Sequence, residues 1–169
     1  MADRLAQLLG ALSLSAADRV RSSVDASLGR AGAHPAALVH LDAYPCDSVQ
    51  ALADVLRVSQ PAAVKVVNRL AGDGLVERRE GPDGRTRALH LTAAGGDAAA
   101  RVLADRATQL EDVLHVLGDD EREHLEPLLE KLVAALAGDR SDGLTVCRLC
   151  DRASCYGARA SCPLEHTVP

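Results

Sequence analysis

Leu52-Ala53-Asp54-Val55-Leu56-Arg57-Val58-Ser59-Gln60-Pro61-Ala62-Ala63-Val64-Lys65-Val66-Val67-Asn68-Arg69-Leu70-Ala71-Gly72-Asp73-Gly74-Leu75-Val76-Glu77-Arg78-Arg79 is the stretch that decides the fold. Asp47, with Gln50 three residues on, resembles a capping box that starts a helix near 48–57. Val58-Ser59 is a turn. Ser59 suits an N-cap and Pro61 the first turn of a second helix. That helix runs to about Ala71 and stops at Gly72-Asp73-Gly74. Two β-prone segments follow, Leu75–Arg79 and Thr86–Leu91, separated by the turn-forming run Glu80-Gly81-Pro82-Asp83-Gly84-Arg85. A helix–turn–helix followed by a two-strand hairpin is a winged helix. At about 100° per residue, Ala63, Val64, Val66, Val67, Leu70 and Ala71 fall on one face of the second helix, and Pro61, Ala62, Lys65, Asn68 and Arg69 on the other. The second face has small residues at its N-terminal end and cations and an amide beyond. That suits entry into a major groove, although such a face can equally be a solvated one.

Outward from this core the chain reads as helical. Residues 3–12 and 16–30 have helical spacing, with Leu5, Leu8, Leu9 and Leu12 on one stripe. Gly29 and Gly32 mark a turn, and Pro35 opens a short helix that Pro45 ends. Thr92 caps a long helix over 93–117, with Leu103, Leu110 and Leu117 every seven residues and Val113 and Leu114 in the same stripe. A last helix over 120–137 carries Leu125, Leu128, Leu129, Leu132, Val133 and Leu136, with Pro127 inside it as a kink or a late start. From Gly138 the periodicity ends. The fold class is therefore mainly α with a small β-hairpin wing. Residues 1–33 and 93–137 form a helical layer, 34–92 the winged helix, and 138–169 a loop-rich, cysteine-rich tail.

Composition narrows the partners. The chain has 169 residues and a formal net charge of −5, with no Phe, no Trp and two Tyr. Lacking ring platforms, it is a poor candidate for single-stranded nucleic acid. No run of about twenty apolar residues is present to span a membrane, and the N-terminus lacks a secretory pattern. The expected location is the cytoplasm, where clustered cysteines more often mean metal or redox chemistry than structural disulfides. Charge is unevenly spread: residues 48–92 hold seven Lys/Arg against five acids, the remainder twelve against nineteen. A locally basic segment in an acidic chain suits a nucleic-acid face.

Residues 52–79 resemble the core of MarR-type winged-helix regulators. So do Asp83-Gly84-Arg85 in the wing and Leu91-Thr92-Ala93-Ala94-Gly95, the "LT-x-x-G" entry to that family's long helix. The likeness covers roughly residues 34–137 and keeps four elements in order. It implies a homodimer joined through the terminal helices, binding a pseudo-palindromic duplex site as a transcriptional regulator, in the first instance a repressor. Carried onto this chain, the recognition helix offers Ser59, Gln60, Pro61, Ala62, Lys65, Asn68 and Arg69. Arg85 is the implied minor-groove residue, with Asp83 and Arg87 as its supports. The likeness also allows a small-molecule effector. Gly95-Gly96 and Pro127 depart from a robust helical pattern. The alternative reading is a metal- or cluster-carrying protein that uses the winged helix to hold another protein. No catalytic constellation is present, so an enzyme is not expected: Asp119, Asp120, Glu121 and Glu123 sit where a helix start favours acids.

The tail carries Cys147-x2-Cys150-x4-Cys155-x6-Cys162. Two residues between the first pair let both sulfurs face one centre. Four thiolates suit tetrahedral zinc or an iron–sulfur cluster, and zinc is placed first. Arg148, Arg152 and Arg159 lie between the ligands and would offset thiolate charge. Oxidant-sensing disulfides or free thiols are the alternatives. His166 reads as a spare ligand or, more simply, an exposed tail histidine. Cys46 reads as a partly buried thiol.

Overall fold

The computed structural model describes residues 3–45, 47–80, 87–155 and 162–167. Helix α1, Arg4–Leu28, is continuous where the sequence suggests two helices. Asp3 caps it by accepting from the Leu5 amide, and Gly29 closes it in the left-handed conformation. Ser13, at the expected break, bonds back to the Gly10 carbonyl at 3.0 Å and so stays helical.

Helix α2, His34–Ala43, carries Pro35 in its first turn, and residues 35–41 are all buried. A helix apolar on every side must be covered on every side. Helix α3, Val49–Leu56, is capped by Ser48, whose hydroxyl accepts from the Ala51 amide at 3.1 Å. The expected cap, Asp47, is engaged elsewhere. Its carboxylate lies 2.6 Å from Nε2 of buried His40, and its carbonyl accepts from the Leu89 amide at 3.1 Å. One residue thus ties α2 to the wing.

Helix α4, Gln60–Gly72, buries Ala63, Val66, Val67 and Leu70. Val64, expected on that inner face, is exposed. Strands β1, Val76–Glu80, and β2, Arg87–Leu91, pair antiparallel with Val76 opposite Leu91 and Glu80 opposite Arg87. Leu38 and Leu41 of α2, Leu52 of α3, Val67 and Leu70 of α4, and Leu89 of β2 form the main core, closed by Ala98 and Ala99 of the next helix.

That helix is α5, Ala93–Leu114, three residues shorter than the spacing predicts. Thr92 caps it as expected, accepting from the Gly95 amide at 3.1 Å while its hydroxyl donates to the Gly74 carbonyl at 2.6 Å. Gly95 looks like a weak helix start in the sequence, but the packing explains it. A Cβ there would lie 2.0 Å from the Leu75 carbonyl oxygen. Glycine is the residue that lets the wing's first strand meet the long helix. Helix α1 packs along α5. Helix α6, Asp119–Ala134, continues through Pro127 and buries none of its residues.

The tail differs most from expectation. It folds into α7, Arg140–Val146, α8, Arg152–Cys155, and a 3-10 turn, Glu165–Thr167. Helix α7 packs on α3. Leu149 joins Val24, Val39 and Val102 in a second core between α1, α2 and α5. The segment is an integral part of the fold and not an appendage. Its periodicity is invisible in the sequence because these helices are too short to show one.

Gly95→Ala should lower the unfolding free energy by about 1–3 kcal/mol, the usual cost of overpacking a tight site. Urea denaturation checks this, with the neighbouring Gly96→Ala, which meets open space, as the tolerated comparison.

Candidate nucleic-acid interface and cysteine cluster

The outer face of α4 is built as its periodicity requires. Ser59, Gln60, Pro61, Lys65, Asn68 and Arg69 are exposed, and Ala62 is half-buried. Ser59 occupies the N-cap position of α4, yet its hydroxyl makes no cap hydrogen bond among the described residues. It can therefore bond outward. Asn68 accepts from the Arg78 guanidinium at 2.6 Å, which links the helix to β1. Arg69 lies 3.7 Å from Asp73, which also pairs with Arg30. These contacts position the side chains without burying them. Arg87 is exposed at the start of β2. Arg85 and Asp83 lie outside the described residues, as does Cys46.

The turn between α3 and α4 holds Arg57 at φ 50°, ψ 46°, the left-handed region that favours glycine. Its guanidinium reaches the tail. One nitrogen lies 2.6 Å from the Asp142 carboxylate, and Nε donates to Thr145 Oγ1 at 3.5 Å. Both partners are on α7. The pair is exposed, so its own contribution is at most about 1 kcal/mol. Its importance is its location, between the helix–turn–helix and the tail.

All four tail cysteines are half-buried, free thiols. Together they line one cavity of about 360 Å³, with Arg106 of α5 and Val133 of α6 in the same wall. Cys147 is the C-cap residue of α7, and the Cys150 amide returns to its carbonyl at 2.8 Å. Cys155 ends α8. Among the described residues no group of three or more His, Cys, Asp or Glu side chains is placed to hold a metal ion as it stands. The thiols instead bond to one another. The hydrogen bond with Cys150 holds the Cys147 thiol below its ordinary range. The same bond, reinforced by burial, pushes Cys150 up. Burial first, then the neighbouring Cys150, pushes Cys155 up to about 11. Arg106 favours the thiolate in all three.

Arg106 escaped the sequence reading. It is an ordinary helix cation until folding sets the tail against α5, and nothing in its local sequence marks it. Of the cations expected near the thiols, Arg148 lines the cavity, Arg152 lies over the Tyr44 ring at 4.9 Å, and Arg159 falls outside the described residues. His166 is tied by Nε2 to the Ala137 carbonyl at 3.1 Å and does not line the cysteine cavity.

The geometry is that of a winged helix carried on a layer of long helices. A family model described as MarR family matches residues 28–86. A Thauera aromatica protein named "Putative transcriptional regulatory protein for hcr operon" is 40% identical over 86 residues, which is 50% of this chain and 52% of that protein. The chain thus spans about half the length of this curated relative. Among solved structures, the Staphylococcus aureus regulator MepR superposes with a TM-score of 0.68 at 16% identity, over 78% of this chain and 98% of its own. The Mycobacterium tuberculosis MarR family protein Rv2887 superposes with a TM-score of 0.62 at 26% identity, over 78% and 96%. Its complex with DNA gives 0.58 at 28% identity, over 73% and 96%. Residues 28–86 thus resemble the MarR family, and the fold matches that family's solved structures.

In reduced, chelator-treated protein at mildly alkaline pH, iodoacetamide should label Cys147 before Cys150 and Cys155, because the thiolate is the reacting form. Peptide mass mapping over time checks the order.

Proposed function

We propose that this chain is a homodimeric transcriptional regulator that binds duplex DNA, with α4 in the major groove and the wing alongside, and that it acts as a repressor. The observation that carries the reading is the two-sided α4. Four of its side chains are locked into the core, while Ser59, Gln60, Lys65, Asn68 and Arg69 face outward together. The solved DNA complex of Rv2887 supports it by likeness. Lys65 and Arg69 suit phosphates, and Asn68 suits an adenine edge.

The dimer reading rests on exposed leucines. Leu5, Leu8, Leu9 and Leu12 of α1 and Leu128, Leu129 and Leu132 of α6, with Leu136 just beyond it, are 42–70% exposed. A set this large on two helices is best accounted for by a second copy of the chain meeting it in a two-fold, self-complementary contact. The dimer would set two copies of α4 about one turn of duplex apart. The regulator's output is proposed to follow the state of the cysteine cluster.

Duplex binding should weaken steeply with salt. Arg85→Ala should cost about 1–3 kcal/mol in operator affinity, and Lys65→Ala should reduce the salt slope by about one. Fluorescence anisotropy over a salt series reads both. Salt-insensitive or absent binding by the dimer would favour a protein-interaction role for the winged helix. The double variant Leu8→Glu, Leu132→Glu should sediment as a monomer where the parent chain sediments as a dimer.

A further inference from the structure

We propose that Cys147, Cys150, Cys155 and Cys162 form a zinc site whose occupancy fixes α7 against α3 and thereby sets the pose of the DNA-reading helix. Three observations meet here. The four sulfur-bearing side chains share one cavity wall, although 14 residues of sequence lie between the first and the last. Two of them sit at helix ends, Cys147 closing α7 and Cys155 closing α8, so backbone structure already holds their Cα positions. Arg106 enters the same wall from a different element and supplies positive charge. Binding is a ligand exchange with no change of oxidation state. Four S–H groups lose their protons to solvent, and four Zn–S bonds form, each about 2.3 Å long. The thiols as they stand bond to one another, so closing on the ion needs proton loss and rearrangement of the side chains.

The path to the winged helix is short. Cys147 ends the helix whose Asp142 and Thr145 hold Arg57. Arg57 is the left-handed residue joining α3 to the turn before α4. Leu149, between the first two ligands, is anchored in the core formed with Val39 of α2. An ion at the end of α7 therefore restrains a helix that already touches the helix–turn–helix. This last step rests on the DNA-binding reading; the zinc site itself does not.

The test uses the full chain, reduced under anaerobic conditions. Elemental analysis should give one zinc per chain, and cobalt substitution should give the intense thiolate charge-transfer absorption of a tetrahedral four-sulfur site. Cys150→Ser and Cys155→Ser should each lose that absorption, while Cys46→Ser keeps it. Zinc should change operator affinity of the parent chain by about five- to 150-fold, the usual range of coupling between two sites. Arg57→Ala should still take up cobalt with the parent spectrum, yet its operator affinity should no longer follow zinc. Reduced protein that retains no metal, serine variants with the parent spectrum, or a brown protein holding iron and sulfide would each overturn the zinc site. A zinc-loaded chain whose DNA affinity ignores zinc would overturn the coupling alone. A zinc-loaded chain that binds no duplex would remove the regulator reading and leave the metal site standing.

Discussion

Residues 35–41 of helix α2 leave no face for water, and the rest of the molecule is arranged around that constraint. Seven consecutive residues, Pro35 to Leu41, are buried, among them His40. The winged helix covers one side through Leu52, Val67 and Leu89, and α5 covers another through Ala98 and Ala99. The tail covers a third, where Gly143 and Leu144 of α7 share a cavity of about 310 Å³ with Val39 and Tyr44. Burying His40 costs free energy unless its ring nitrogen is satisfied, and Asp47 meets that need. The Asp47 carbonyl in turn accepts from the Leu89 amide, so the residue that makes α2 buriable also aligns the wing.

The outer face of α4 combines anchored and open cations. Arg69 shares Asp73 with Arg30, and Asn68 is held by Arg78. Each contact limits side-chain freedom before any partner arrives, which reduces the entropy lost on binding. Among the described residues Lys65 has no ion-pair partner, so its exposed charge is not held in one geometry. The helix therefore offers preset geometry toward its C-terminal end and an adaptable charge at its middle.

The fold was legible wherever local rules and tertiary packing agree. The helix pair, the hairpin and Thr92 at the head of α5 follow from turn residues and apolar periodicity, and each stands where the sequence puts it. The misreadings have tertiary causes. Asp47 lost its capping role to Ser48 because a buried histidine seven residues earlier competes for its carboxylate. Gly95 reads as a helix breaker until the Leu75 carbonyl is seen against it. The candidate site was legible in part. The spacing announces the four cysteines, and wheel geometry announces the outward residues of α4. Arg106 and the Arg57–Asp142 contact join residues far apart in sequence, and no short-range pattern encodes them.

The 3-10 turn at Glu165–Thr167 gives the tail a further property. His166 returns to the Ala137 carbonyl, Leu164 is buried, and the Thr167 hydroxyl sits where a side chain on Gly143 would be, 2.7 Å from its Cβ position. Among the described residues, the 162–167 segment is thus fastened back onto Ala137 and Gly143 by ordinary packing, and Cys147, Cys150 and Cys155 lie between these two anchors in sequence. Closing a loop is the main entropic cost of cross-linking distant ligands, and here the polypeptide has already met it. A metal bound between such anchors would spend little of its affinity on organising the chain, so it would act as a latch on a finished structure and not as the nucleus around which that structure forms.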